Sequence, residues 1–269
     1  TGPVTSPSLA ALLDEVLAAN PQIRWHQWEP TASQRRGGVR AMYHFDRAEV
    51  VVTLDSDFIH GSPGSVRYQR DFALKRRPTD DRKEMNRLYA IESTPTLTGA
   101  KADHRLPVRA SEIESVAREL AAAVGGGGST GSPQGATGSQ GASVPRPGTP
   151  DIAKYVAAIA KDLQAHRGRS LIVAGDYQPE SVHQLARSMN EALGNVGTTV
   201  TYGQDIEVNP TDRYASLAEL TTAMDAGEVT TLVILGGNPV FTAPADLGFA
   251  EKMSKVGLVA YHSMYVDET

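Results

Sequence analysis

The chain has 269 residues, more than one compact domain usually holds, so two cores are expected. Its 40% hydrophobic and 21% charged residues are the proportions of a soluble globular protein, and a formal net charge of −5 excludes a general nucleic-acid binder, whose phosphate contacts need clustered Lys and Arg in excess. With no cysteine, this segment cannot ligate an iron–sulfur cluster, build a Cys-type zinc site, form a disulfide or use a thiol nucleophile.

Ser6-Pro7-Ser8 precedes Leu9, Leu12, Leu13, Val16 and Leu17, capping chemistry followed by an apolar stripe at helical spacing, and predicts the first helix. Residues 23–28 read as a strand, and 49–54, with Val50, Val51 and Val52 in a row, as a strand buried on both faces. Gly61-Ser62-Pro63-Gly64-Ser65 turns the chain into a helix carrying Val66, Phe72 and Leu74. A strand follows at 88–91, and Ser111-Glu112-Ile113-Glu114 reads as a capping box ahead of Val116, Leu120 and Val124.

From 125 to 150 the sequence is GGGGSTGSPQGATGSQGASVPRPGTP, which has too little apolar surface to offset its ordering entropy and predicts a flexible linker. It divides the chain into a first α/β unit, 1–124, and a second, 151–269. The second half repeats the alternation, with helices at 152–163, 179–193, 217–224 and 249–253, and strands at 171–174, 198–202, 230–235 and 258–261. Strands separated by helical segments imply parallel sheets covered on both faces, so the expected class is α/β, doubly wound.

No run of about 18 apolar residues and no basic-then-apolar leader is present, so neither a membrane span nor an export signal is expected. The start at Thr1-Gly2 rather than Met reads as a segment of a longer polypeptide. The short basic pairs Arg35-Arg36 and Arg76-Arg77 read as solvated or partner-facing charge.

Ligands of open parallel sheets bind beyond the carboxyl ends of the strands. The loops there are Asp55-Ser56-Asp57, Glu92-Ser93-Thr94-Pro95, Gly175-Asp176-Tyr177-Gln178, Gly236-Gly237-Asn238-Pro239 and His262-Ser263. None carries G-x-G-x-x-G or a P-loop, so neither common phosphate cradle is available. Gly236-Gly237-Asn238-Pro239 is either a turn ending a strand or the descendant of a nucleotide-contacting loop. Asp55, Asp57, Glu92 and Asp176 either form an acidic rim, hostile to phosphate, or cap the helices that follow. The histidines show no metal-ligand spacing; His26 with Glu29, and Asp103 with His104, are candidate proton-transfer pairs set against ordinary hydrogen-bonded histidines. No G-x-S-x-G elbow joins an expected strand to a helix, and Ser93 and Ser263 have no evident base.

Two sets of fragments resemble the molybdopterin oxidoreductase superfamily. Leu232-Val233-Ile234-Leu235-Gly236-Gly237-Asn238-Pro239 with the later Asp267-Glu268-Thr269 is similar to that family's strand-G-x-N-P and T-E-T regions. Leu88-Tyr89-Ala90-Ile91-Glu92 with Ala102-Asp103-His104-Arg105-Leu106-Pro107-Val108-Arg109 is similar to its segment near the guanine dinucleotide. The family's acid-Pro-Arg is replaced by Glu92-Ser93-Thr94-Pro95, and its Arg-Pro-Gly-Thr-Asp by Arg109-Ala110-Ser111-Glu112-Ile113, removing an Arg suited to phosphate and a Gly that permits close backbone approach. Longer runs in the same order are similar to one subfamily, the large iron–sulfur subunit of alternative complex III: Arg24-Trp25-His26-Gln27-Trp28-Glu29-Pro30, Leu54-Asp55-Ser56-Asp57-Phe58, Gly64-Ser65-Val66-Arg67-Tyr68, Met85-Asn86-Arg87-Leu88-Tyr89 and Tyr265-Val266-Asp267-Glu268-Thr269.

The resemblance implies two units of the formate dehydrogenase and DMSO reductase kind, without a molybdenum cofactor. It implies iron–sulfur clusters elsewhere in the full subunit, and a twin-arginine-exported complex on the periplasmic side of a bacterial membrane that passes electrons from quinol to a cytochrome or oxidase. The implied partners are the iron–sulfur domain of the same subunit, a cytochrome c and integral membrane subunits. The expected role is a scaffold or interface module without catalysis of its own. Glu92, Ser93, Thr94, Asp103, Arg109, Asp176, Gly236 and Asn238 are the candidate remnants of a nucleotide pocket. Two rivals stay open: a segment of a true molybdoenzyme whose metal and cluster ligands lie outside this chain, and a stand-alone nucleotide- or sugar-binding α/β protein with a crevice near Asp176 and Asn238.

Overall fold

The computed structural model describes residues 1–30, 39–62, 64–80, 83–125, 151–204 and 207–269. Arg35-Arg36, Pro63 and all of the expected linker except Gly125 lie outside the described residues.

In chain order the elements are α1 (Pro7–Ala19), β1 (Val39–Tyr43), β2 (Val50–Leu54), α2 (Ser65–Lys75), β3 (Arg87–Glu92), α3 (Leu97–Ala100), β4 (His104–Pro107) and α4 (Ile113–Val124). They continue with α5 (Ile152–Ala165), β5 (Ser170–Ala174), α6 (Glu180–Ala192), β6 (Val200–Gln204), α7 (Arg213–Asp225), β7 (Thr231–Leu235), α8 (Pro239–Thr242), α9 (Phe249–Met253) and β8 (Leu258–His262). The chain folds into two compact units: Thr1–Arg40 with Gln204–Thr269, called unit one, and Ala41–Gly203, called unit two.

Unit two is built on a four-stranded sheet of order β4-β3-β2-β5, parallel throughout. The β-branched run Val50-Val51-Val52 takes a central position, and every residue of β2 is buried. One face packs Val52, Leu54, Ile91, Leu106 and Ile172 against α4, α5 and α6 through Val116, Leu120, Ile159, Leu163 and Met189. The other packs Val51, Leu88, Leu171 and Val173 against Phe45, Phe58 and, from α2, Tyr68 and Phe72. There Phe45 stacks on Phe58 at 4.2 Å and Phe72 meets Phe58 edge-on at 5.3 Å, arrangements worth about 0.5–1.5 kcal/mol each beyond area burial. Strands β1 and β6 pair as a separate two-stranded sheet, and His44 N–H continues toward Thr199 O at 2.8 Å.

Unit one contains a two-stranded parallel sheet, β7-β8. Leu232 and Ile234 of β7 face a core completed by Leu217 and Met224 of α7, Leu247, Phe249 of α9 and Val256. Burial along β7 alternates strictly, so Thr231, Val233 and Leu235 point away from that core.

The α/β class and the parallel, helix-flanked sheet agree with the sequence reading; several details do not. The compact units cut across the expected halves, because β5, from beyond the Gly-rich stretch, joins β2 in one sheet. Composition locates a Gly-rich segment, but sheet membership is set by which edge a later strand finds. Residues 23–28, expected as a strand, are irregular: Trp28 N–H donates to Thr1 O at 2.8 Å and Gln27 N–H to Ser216 Oγ at 3.2 Å, which satisfies backbone groups without a ladder. The expected capping box at Ser111 is displaced: Glu112 reaches back to Arg109 N–H at 2.8 Å, and a 3₁₀ turn over Ala110–Glu112 leads into α4. The four-residue elements α3, β4 and α8 carry too few residues for a periodic signal.

Candidate functional site

In the order β4-β3-β2-β5 the chain builds outward from β2 to β4, then returns to place β5 on the other side of β2. The switch point therefore lies between β2 and β5, and the crevice rule directs attention to the loops that leave their carboxyl ends. Those loops meet at Asp55 and Gly175.

Asp55 is the one non-glycine residue with positive φ among the described residues, at +54°, a left-handed conformation that Asp tolerates better than most side chains. Its backbone N–H donates to Ile91 O of β3 at 2.7 Å, and Gly175 N–H donates to Leu54 O at 2.9 Å. The turn draws the two loops so close that a Cβ on Gly175 would stand 2.0 Å from Asp55 O. Its carboxylate accepts from Ser93 N–H at 2.8 Å, from Ser93 Oγ at 3.1 Å and from Gln178 Nε2 at 2.9 Å. One side chain thus ties together the loops after β2, β3 and β5.

The neighbouring carboxylates are held in the same way. Asp57 Oδ1 accepts from Thr98 N–H at 3.0 Å and Thr98 Oγ1 at 2.7 Å. Glu92, whose side chain is 2% exposed, accepts from Thr96 Oγ1 at 2.6 Å and from Arg105 Nε at 2.5 Å. Gly99 makes room for it: a Cβ there would lie 1.9 Å from Glu92 Oε1. A buried carboxylate is tolerable because the guanidinium and the hydroxyl replace its hydration. Asp57 satisfies a first-turn N–H of α3, whose N-cap is Thr96, rather than capping α2, which follows it in the chain.

The sequence candidates scatter. Glu92 and Ser93 lie in this cluster, Thr94 is exposed beside it, and Asp176 occupies the loop after β5. Asp103 sits before β4, at the amino ends of the strands, where it accepts from Leu88 N–H at 2.8 Å and from Arg76 at 2.9 and 2.6 Å. Burial would raise its pKa, but the Arg76 hydrogen bonds, the Leu88 N–H and nearby positive charge outweigh that and hold it below the ordinary value. Arg109 is exposed and uses its backbone N–H to close the turn into α4.

Gly236 and Asn238 belong to unit one, where the two family-like fragments come together. Asn238 Nδ2 donates to Glu268 Oε2 at 2.6 Å, Thr269 Oγ1 to Asn238 Oδ1 at 2.8 Å, and Val240 N–H to Thr269 Oγ1 at 3.0 Å. Gly236 and Gly237 both have positive φ, +68° and +75°, which the turn out of β7 requires and L side chains rarely adopt. The Tyr261 hydroxyl bridges Asp267 Oδ2, at 2.6 Å, and Gly237 O, and that hydrogen bond to Asp267 raises the phenol pKa.

In the candidate proton-transfer pairs, His26 turns Nδ1 to Ser216 O at 2.9 Å; a carbonyl only accepts, so that nitrogen carries the proton and the lone pair sits on Nε2. His104 stacks on Tyr89 at 4.8 Å, while Asp103 turns to Arg76. Among the described residues no group of three or more His, Asp or Glu side chains is disposed to hold a metal ion, and no helix is long and apolar enough to cross a membrane.

Sequence reasoning found the acidic strand ends and named Gly175, Gln178 and Arg105 without giving them these contacts, and it missed Thr98 and Gly99. A signal was available for Gly175, directly after the strand 171–174; none was available for Arg105, whose partner lies one strand away. No protein-family model matches this chain, and a search of the curated proteins likewise finds no match.

Proposed function

We propose that this chain is a scaffold and interface segment of a respiratory membrane oxidoreductase, a cofactor-less counterpart of a molybdopterin-enzyme domain as in the large subunit of alternative complex III. The observation that carries the reading is the uncovered face of β7-β8. Val233, Leu235 and Leu258 are 57%, 42% and 60% exposed, and Val233 pairs across the sheet with the exposed Ala260. Phe241, Met264, Tyr265 and Val266 of unit one are exposed as well. Parallel sheets are ordinarily covered on both faces, and clustered exposed apolar side chains mark interaction surfaces. In this reading the cover is the cluster-bearing region of the same subunit, with haem-bearing and integral membrane subunits beyond it on the periplasmic side.

The chemistry of the switch point supports the absence of a nucleotide cofactor. A diphosphate there needs backbone N–H donors or guanidinium groups. Ser93 N–H and Gln178 Nε2 are instead turned onto Asp55, and the Arg105 guanidinium onto Glu92, so the residues present do not fit a pterin dinucleotide. The stand-alone rival is weakened by the same uncovered face.

The test is twofold. Calorimetry of the chain with GDP and GTP, and a dye-linked dehydrogenase assay, should both be silent. Val233→Asp with Leu258→Asp should abolish binding of the chain to the separately produced cluster-bearing region while leaving the circular dichroism of the chain unchanged. Micromolar guanine-nucleotide binding would move the assignment to a true molybdoenzyme segment.

A further inference from the structure

Within the thirteen residues of α2 and the turn after it lie Arg67, Arg70, Lys75, Arg76 and Arg77 against one carboxylate, Asp71, in a chain whose formal net charge is −5. The sequence reading marked Arg76-Arg77 as solvated or partner-facing; the structure separates the roles in this run. Arg76 is half-buried and committed to Asp103, and lies 5.2 Å over the Phe72 ring, so it ties α2 to the sheet.

Arg67 and Arg70 are different. Both reach the same buried carboxylate, Asp71: Arg67 Nε at 3.3 Å, and Arg70 Nε and Nη2 at 3.0 and 2.8 Å. One negative charge thus fixes two guanidinium groups, whose side chains remain 49% and 68% exposed. Arg67 Nη2 also lies 3.2 Å from His44 Nδ1. Guanidinium only donates, so Nδ1 holds the lone pair and His44 Nε2–H donates to Thr201 Oγ1 at 3.1 Å. Neutral His44 therefore helps to hold Arg67 in place. The result is a pair of ordered cations with one uncompensated charge, pre-organised for planar carboxylates.

The same helix presents Val66, Gln69, Arg70 and Ala73 to solvent, at the i, i+3, i+4, i+7 spacing of a single face, while Tyr68 and Phe72 point into the core. No carboxylate interrupts that solvent face. An acidic protein repels an acidic partner over most of its surface, so a basic face admits one chiefly in one orientation. An anionic lipid surface meets the same overall repulsion and needs a wider apolar stripe than Val66 and Ala73 provide.

We propose that the solvent face of α2 docks an acidic protein partner, whose carboxylates pair with Arg67 and Arg70 and whose small apolar side chains cover Val66 and Ala73. The inference rests on the interface reading and adds the chemistry of one partner. It concerns unit two, so its failure is distinguishable from failure of the β7-β8 assignment.

Labelled poly-L-glutamate is titrated with the full chain, followed by fluorescence anisotropy at low and at physiological salt. Binding should weaken as salt screens the pairs, and Arg67→Gln or Arg70→Gln should each lower the affinity about fivefold or more. Each single variant leaves Asp71 one arginine, so the fold is retained, which circular dichroism checks. Arg118→Gln on α4, which removes an exposed cation of another helix, should change nothing. The proposal is overturned by no salt-dependent binding, by equal losses in the Arg118 variant, or by tighter binding to phosphatidylglycerol vesicles that Arg67→Gln and Arg70→Gln abolish.

Discussion

The two parallel sheets of this chain treat their faces differently. In unit two, β2 and β5 are buried along their whole length, helices cover both faces, and the carboxylates at the strand ends are hydrogen-bonded to adjacent loops. In unit one, β7 buries alternate residues and β8 is exposed along most of its length. Burial on two faces makes a sheet self-sufficient; burial on one leaves apolar surface in water at roughly 25 cal/mol per Å² until something covers it. If the β7-β8 face is an interface as proposed, the difference separates a part that holds shape from a part that meets a partner.

That contrast can be broken by mutation, beginning with the largest effect. Arg105→Leu leaves the Glu92 carboxylate buried without its cation, and is expected to cost about 3–5 kcal/mol in urea unfolding. Gly175→Ala forces a Cβ against backbone at Asp55, with an expected loss of about 3 kcal/mol, because neither strand end can retreat from the sheet. Asp55→Ala removes the acceptor for Ser93 and Gln178 and should cost about 2 kcal/mol.

The pH dependence sharpens the same picture. Tyr89 is pushed up to about 12, first by burial and then by its hydrogen bond to Asp162. Its folded value exceeds its unfolded one, so its stabilisation is complete below the ordinary tyrosine range and is lost as pH rises toward 12. Asp103, shifted down, acts oppositely: its contribution is present above the ordinary carboxylate value and disappears as pH falls through its depressed one. Both groups belong to unit two, so unfolding midpoints measured across pH should fall at both extremes, and Tyr89→Phe should flatten the alkaline limb. The smallest effect belongs to the open face, where Val233→Thr or Leu258→Thr should change stability by less than about 0.5 kcal/mol while reducing self-association in sedimentation.

What the sequence made legible follows from where each signal resides. Val50-Val51-Val52 announces a central strand because β-branched residues without alternation fit only a sheet covered twice. Asp55, Glu92 and Asp176 stood out because acids directly after apolar runs locate the carboxyl edge. Residues 23–28 misled: Trp25 and Trp28 have strand propensity, but their indole N–H groups bond to Thr1 Oγ1 and Thr242 Oγ1, and among the described residues the segment pairs with no strand. The Asp55 cluster was only half visible, since its donors come from loops 38 and 123 residues away and local pattern carries no information at that range. The division into units was hidden for the same reason, as β5 reaches β2 across the whole Gly-rich stretch.

The proposed role requires the open face of β7-β8 to be covered in the assembled protein. Hydroxyl-radical footprinting of Val233, Leu235 and Leu258, in the isolated chain and in the membrane complex proposed for it, tests this directly. Strong labelling in isolation and at least about tenfold protection in the complex is the expected result, as for side chains at the centre of a water-excluding interface. Equal labelling in both states would contradict the assignment.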